Sequence, residues 1–375
     1  MTIWPTNPGS RAKLTTGQRK LGEVCDIIYG FAFKANEFNE AGKGLSVVRI
    51  GDVDKNKTDK FFDGKYDKRY LINRGDILLG LSGSFKASCW GGDKALMNQR
   101  VATLRNFESK TAESFIFYQL PRLLHNLEQL IAQLSVKNIL TKHLNNLRVL
   151  YPPLKIQKQI VERLDAIKKA QELNDKQIAL ADELFQSLLH QELKSKIKNQ
   201  KSKLQIKIKK LKDVVKVHYG KGLPKSERVE KGEYFAYGSN GPIYKTSKIL
   251  VKYPTIIIGR KGAAGALYLV KEPSYPIDTT FYTEIKNQNE LNLDFLYFLL
   301  QTLNLQHLAI ITAVPGINRD SLYNLKIPLP PIETQRKIVE KLSAVQEYKK
   351  KLLEQKQKLQ ELFDSVLNKS FKGEL

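Results

Sequence analysis

Apolar residues fall into two patterns along the chain, and each pattern occurs twice. Short apolar runs close on a glycine at Asp76-Ile77-Leu78-Leu79-Gly80 and again at Thr255-Ile256-Ile257-Ile258-Gly259. Runs of this length, bounded by turn formers, predict buried strands. Elsewhere the spacing changes to three and four. Leu164, Ile167, Gln171, Asn174, Ile178, Ala181, Phe185 and Leu188 form one such series; Leu342, Val345, Lys349, Leu352, Lys356, Leu359, Phe363 and Val366 form the other. This spacing predicts two helices, each with a heptad-like stripe of the kind two helices bury against each other. Each follows a proline pair, Pro152-Pro153 or Pro330-Pro331, since a residue of the first helical turn has no helical hydrogen bond to donate. Glu333 complements the dipole at the second start, whereas its counterpart Lys155 does not.

The two helical segments are copies. Pro152–Leu189 aligns without a gap on Pro330–Leu367 at an offset of 178, with 14 of 38 pairs identical. The likeness continues upstream: Leu144-Asn145-Asn146-Leu147 matches Leu322-Tyr323-Asn324-Leu325, and Val136-Lys137-Asn138-Ile139 faces Val314-Pro315-Gly316-Ile317. Both halves also open alike, with Leu21-Gly22-Glu23-Val24 and Leu211-Lys212-Asp213-Val214. The order is globule, helix, globule, helix, an α+β chain with boundaries expected at 15–150, 151–200, 201–328 and 329–375. Thirty-eight helical residues would span about 57 Å. Asn174 matches Leu352 and Ile178 matches Lys356; such inequality suits pairing of one copy with the other in a fixed register. The expected seam includes Leu164, Ile167, Ile178 and Phe185 against Leu342, Val345, Leu352, Leu359 and Phe363.

Charge narrows the class. Lys and Arg number 62 against 38 Asp and Glu, a net charge of +24. A surplus this large on folded domains has a polyanion as its natural counterpart, through counterion release from phosphates. No run of about 18 uncharged apolar residues is present, so no membrane-spanning helix is expected. The first residues lack the pattern of a secretory signal, and two cysteines, Cys25 and Cys89, make neither a disulfide framework nor a four-cysteine zinc site. A cytoplasmic chain with reduced thiols is expected. Lys194–Lys212 carries nine lysines and no acid; it reads equally as a solvated linker or a phosphate-facing strip.

No catalytic constellation emerges. There is no G-x-x-x-x-G-K-[ST] phosphate loop, and the five histidines are scattered without metal-ligand spacing. Asp52 and Asp54, bordered by Lys55 and Lys57, read as surface charge. What remains are glycine-rich loops with aromatic, amide and basic residues in both halves. The first half holds Lys34, Ser84, Lys86, Gln99 and Arg100; the second holds Lys221, Lys225, Ser239, Asn240, Arg260, Lys261 and Thr279. Arginine pairs with guanine edges and Asn or Gln with adenine, while Lys, Ser and Thr reach phosphates. Arg260, Asn240, Gln99 and Arg100 are the expected base readers, and Lys86, Lys221, Lys225 and Lys261 the phosphate contacts. A plain turn accounts for any one loop equally well; recurrence in both halves favours the joint reading.

In this layout the chain resembles the specificity (S) subunit of Type I restriction–modification enzymes, from about Lys20 onward. The strongest parts are Leu147–Leu154 with Gln157 and Leu325–Ile332 with Gln335, each leading into Ile-Val-Glu and a long helix. Ile156 and Thr334 stand where the family usually has Glu. The resemblance implies a non-catalytic role: two target recognition domains would each read half of a bipartite DNA target, and an antiparallel coiled coil would set their spacing. Two modification subunits would carry S-adenosylmethionine, and restriction subunits would bring ATP and Mg; no cofactor is expected in this chain and no membrane partner. An unrecognised enzyme, or a scaffold or RNA-binding protein indifferent to DNA sequence, are the rival classes.

Overall fold

In the computed structural model of the chain, residues 17–83, 85–133, 141–198, 206–310 and 316–372 are described. They form two compact units. One ends at Glu172 and resumes at Gln357; the other is Leu173–Lys356.

The strands of the first unit are β1 (Gln18–Lys20), β2 (Asp26–Tyr29), β3 (Leu45–Val48), β4 (Phe61–Phe62), β5 (Leu71–Ile72), β6 (Ile77–Gly80), β7 (Lys86–Cys89), β8 (Ala95–Met97), β9 (Val101–Arg105) and β10 (Arg148–Leu150). They make a sheet β2-β9-β6-β7, a sheet β4-β3-β8-β5 and the pair β1-β10. The predicted run Ile77–Leu79 is β6, buried throughout. Its residues divide between two cores: Ile77 and Leu79 pack with Phe115, Ile116 and Leu120 of helix Glu113–Gln133, and Leu78 packs with Val48, Ile72, Trp90 and Met97. A strand covered on both faces needs apolar residues at every position, hence the unbroken run.

The second unit repeats this plan with β11 (Lys207–Lys210), β12 (Val215–Tyr219), β13 (Tyr234–Gly238), β14 (Gly241–Thr246), β15 (Thr255–Gly259), β16 (Leu267–Val270), β17 (Ser274–Pro276), β18 (Thr280–Ile285), β19 (Ala309–Ile310), β20 (Gly316–Ile317) and β21 (Lys326–Leu329). The sheet β12-β18-β15-β16 copies β2-β9-β6-β7, and β14-β13-β17 copies β4-β3-β8 with its one parallel pair retained. The lysine-rich linker expected over Lys194–Lys212 does not extend to its end. Lys207–Lys210 is a strand, because its backbone pairs with Lys326–Leu329 while Lys209 pairs with Glu290.

Two long helices complete both units. The first runs Leu154–Lys198 and the second Ile332–Lys372, so their starts keep the offset of 178. In the first unit Ile160 and Leu164 are core residues, with Phe363, Val366 and Leu367 packed against the same cluster. In the second, Ala181, Phe185 and Leu189 share a core with Leu342, Val345 and Leu352. There, Asp175 and Asp182 of the first helix meet Lys356 and Lys349 of the second, at 2.8 and 2.5 Å. Rising numbers against falling ones make the helices antiparallel. Every residue of the two predicted stripes is buried or half-buried except Lys356, whose ammonium is drawn out to Asp175.

One buried side chain staples each long helix to its domain. Gln157 is fully buried; its Oε1 accepts from the Ala112 N–H (2.8 Å) and its Nε2 donates to the carbonyls of Lys110 (3.1 Å) and Pro152 (2.8 Å). Gln335, also fully buried, makes the same three bonds with Asn292, Glu290 and Pro330, each at 2.8 Å.

Candidate nucleic-acid interface

In the first unit the loops after β2, β3 and β6 and the loop before β9 are laced into one rim. Gly30 donates to the Val101 carbonyl and Phe31 to that of Met97, while Asn98 donates to Val48 and Leu81 to Arg100. A Cβ on Gly30 would lie 2.2 Å from the Asn98 oxygen, so only glycine permits this approach. Gln99 and Arg100 are exposed on the rim, and Arg100 Nη1 donates to Ser82 Oγ at 2.9 Å. Lys86 is ion-paired to Asp54 at 2.8 Å, a bond that holds the Asp54 carboxyl below its ordinary range. Lys34 is exposed just before the short helix Ala35–Glu37. Ser84 lies outside the described residues, as do Val136–Ile139 and Val314-Pro315 of the repeat. Asp52, expected on the surface, is instead buried; it accepts from the Arg49 N–H and Nε, at 3.1 and 3.2 Å, and so caps the turn Ile50–Asp52.

The second unit builds the same rim. Gly220 donates to Thr280 and a Cβ there would sit 2.0 Å from the Ile277 oxygen. Ile277 donates to Tyr237, and Arg260 to Thr279 at 2.9 Å, the counterpart of the bond from Leu81 to Arg100. Of the residues expected here, Lys221, Lys225, Asn240 and Lys261 are exposed, and Arg260 and Thr279 are half-buried. Ser239 is buried, its carbonyl accepting from the Tyr268 hydroxyl. Asn240 stands at the tip of the β13–β14 hairpin, before Gly241 at φ +101°. Among the described residues no cluster of three or more His, Cys, Asp or Glu could hold a metal.

The two rims exchange the origin of their arginine. In the first unit Arg100, before β9, reaches Ser82 after β6; in the second Arg260, after β15, reaches the carbonyl of Asp278 before β18, through Nε (3.2 Å) and Nη2 (2.7 Å). The same pair of loops is bridged from opposite sides.

Further groups make cation and ring contacts here, and of them only Phe31, in the glycine-rich aromatic loop before Lys34, had a signal in the sequence. Phe31, 48% exposed, rests on Phe33 and Tyr70, and the Arg69 guanidinium lies 4.7 Å from the Tyr70 ring. Arg228 covers Tyr244 and Lys245 covers Phe235 on the β13–β14 hairpin. Arg319, 59 positions beyond Arg260, stacks over Tyr219, the residue that ends β12. Its partner in the helical alignment is Thr141, so the repeat could not announce it.

The duplicated rims on duplicated sheets define a two-domain recognition chain. The family model described as "Type I restriction modification DNA specificity domain" matches twice, over residues 15–181 and 204–362. The chain belongs to this family and is a Type I restriction–modification DNA specificity subunit with two recognition domains. It is 33% identical over 147 residues to the Type I restriction enzyme EcoBI specificity subunit of Escherichia coli, a match covering 39% of this chain and 31% of that protein. Against the MjaVIII specificity subunit of Methanocaldococcus jannaschii it is 24% identical over 345 residues, covering 82% and 81%. The crystal structure of a Type I S subunit from M. genitalium shares the fold, with a TM-score of 0.63 at 18% identity over 98% of this chain and 97% of that one. A further structure, from a study of complex assembly in the Type I system, gives 0.59 at 19% identity over 96% and 98%. The family recognises DNA rather than performing catalysis. No helix of the described residues is long and apolar enough to cross a membrane.

Proposed function

We propose that each unit reads one half of a bipartite, asymmetric DNA target, and that the paired helices set the gap between half-sites and dock two modification subunits. One observation carries this reading: the rims share their backbone lacing bond for bond, yet place different side chains on it. Position 31 is Phe in one copy where Lys221 stands in the other, and Arg100 is replaced by Thr279. A common scaffold with divergent tips is what two different half-sites require, since base edges are read by side chains while the backbone only positions them. Gln99, Arg100 and Asn240 are the base readers of this reading; Lys34, Lys86, Lys221, Lys225 and Lys261 hold phosphates.

Docking has its own support. Leu173, Leu180 and Leu184 follow one side of the first long helix and are 53, 61 and 48% exposed. Three exposed leucines on one helix face support a partner surface there. The partners would carry S-adenosylmethionine and methylate adenine after flipping it from the stack; restriction subunits would contribute ATP- and Mg-dependent cleavage. The test is base-modification sequencing of the native chromosome with the gene intact and deleted. A bipartite motif bearing N6-methyladenine that disappears on deletion is the expected result. A methylome indifferent to the gene, in cells where the modification subunits are present, would refute it.

A further inference from the structure

The end of β12 carries an arrangement that the reading above leaves unused. Tyr219, 45% exposed, has two guanidinium groups against its ring: Arg260 at 5.4 Å and Arg319 at 5.1 Å from the centroid. Arg260 also lies 5.9 Å from Phe281, and Arg319 5.7 Å from Tyr323. Neither arginine has a carboxylate within ion-pairing distance among the described residues. Asp278, in the facing loop, offers Arg260 its carbonyl oxygen instead. Arg319 Nε is buried and has no hydrogen-bond partner. Exposed Lys221 follows Tyr219 by two residues and exposed Lys261 follows Arg260.

Two cations gathered on one ring repel each other, and aromatic faces compensate only in part. An anion between them removes the repulsion and uses their donors in charge-assisted bonds. We infer that Tyr219, Arg260 and Arg319 form a clamp for one DNA phosphate beside the second half-site. This rests on the DNA-reading function proposed above, and it moves Arg260 from the base readers to the phosphate contacts. The Nε–Nη2 edge of Arg260 is already turned to Asp278 and its face to Tyr219, which leaves only its outer edge to a ligand. At the matching positions the first unit keeps the ring, as Tyr29, but has Leu81 and Thr141 in place of the two arginines; the two half-sites are therefore gripped unequally.

The test uses the chain assembled with its modification subunits, and duplexes with and without the methylated motif. Arg319→Gln, which keeps a planar group on the ring, should weaken both duplexes by the same factor. It should also make the log–log salt dependence shallower by about 0.9, the release of one phosphate contact. Arg319→Lys should restore the slope. Arg260→Gln, which removes the other cation from the ring, should act the same way, and provides the answer if the Arg319 variant unfolds. Loss of affinity confined to the motif duplex, or an unchanged slope in a folded variant, would overturn the clamp while leaving the specificity role intact. A wild-type complex that does not prefer the motif duplex would instead strike at the specificity role itself.

Discussion

Removing Gln157 should loosen the first unit and spare the second. Its amide makes three hydrogen bonds at zero exposure, so Gln157→Ala abandons one backbone N–H and two carbonyls in a site without solvent. Each intramolecular bond contributes about 1 kcal/mol net, and an orphaned buried group costs about 1–3 kcal/mol. Carbonyls keep a second lone pair and tolerate the loss better than the N–H, which places the total near 3–5 kcal/mol. Gln157→Glu is harsher at neutral pH: a carboxylate can still accept from Ala112, but it faces the Lys110 and Pro152 oxygens with nothing to donate. Its folded-state pKa is then raised above the unfolded one, so the penalty grows as pH rises and eases as the acid protonates on acidification. Hydrogen exchange read by mass spectrometry separates the units. Gln157→Ala should speed exchange across residues 108–120 and leave 288–300 unchanged, and Gln335→Ala should do the reverse. A loss under about 1 kcal/mol in urea unfolding, or faster exchange only in the unit that was not mutated, would refute the staple.

Arg100→Ala should relax the reading of one half-site only, by about 1–3 kcal/mol for a guanine contact, seen as a degenerate position in the methylated motif; equal weakening of all sequences would make Arg100 a phosphate contact. Inserting one heptad in each long helix adds about 10 Å, so the nonspecific gap should lengthen by about three base pairs with both half-sites kept; altered half-sites and an unaltered gap would defeat the spacing model. Burial pushes the Cys25 thiol up to about 12, and its Sγ donates to the Leu21 carbonyl. A thiol reagent at pH 8 should therefore label at most exposed Cys89 in the native chain and both residues after denaturation.

The repeat, the strand runs and the seam stripes were legible because each expresses a local period set by burial. The helix starts were legible for the same reason, as a proline pair suits only the first turn. Arg319 was not: it opens the short helix Arg319–Tyr323 and reaches Tyr219 only through the tertiary fold, and neither spacing nor the duplicated partner Thr141 points there. Asp52 looked like surface charge because lysines flank it at Lys55 and Lys57, yet the chain turns it inward to cap its own loop. The lysine strip misled for a related reason. Charge pattern says nothing of pairing partners, and Lys207–Lys210 finds its partner in Lys326–Leu329, more than a hundred residues away.

Phe363, Val366 and Leu367 pack against the core that holds Leu21 and Leu164. That core has a consequence for biosynthesis. About 200 residues separate Leu164 from Phe363, which the ribosome needs roughly 10–40 s to supply at ~5–20 residues per second. For that interval the first recognition domain exposes an unfinished apolar seam, while the Leu173–Lys356 unit is still being made. The domain begun first is completed last, so a nascent chain stalled before Phe363 should depend on chaperones through its earliest-made half.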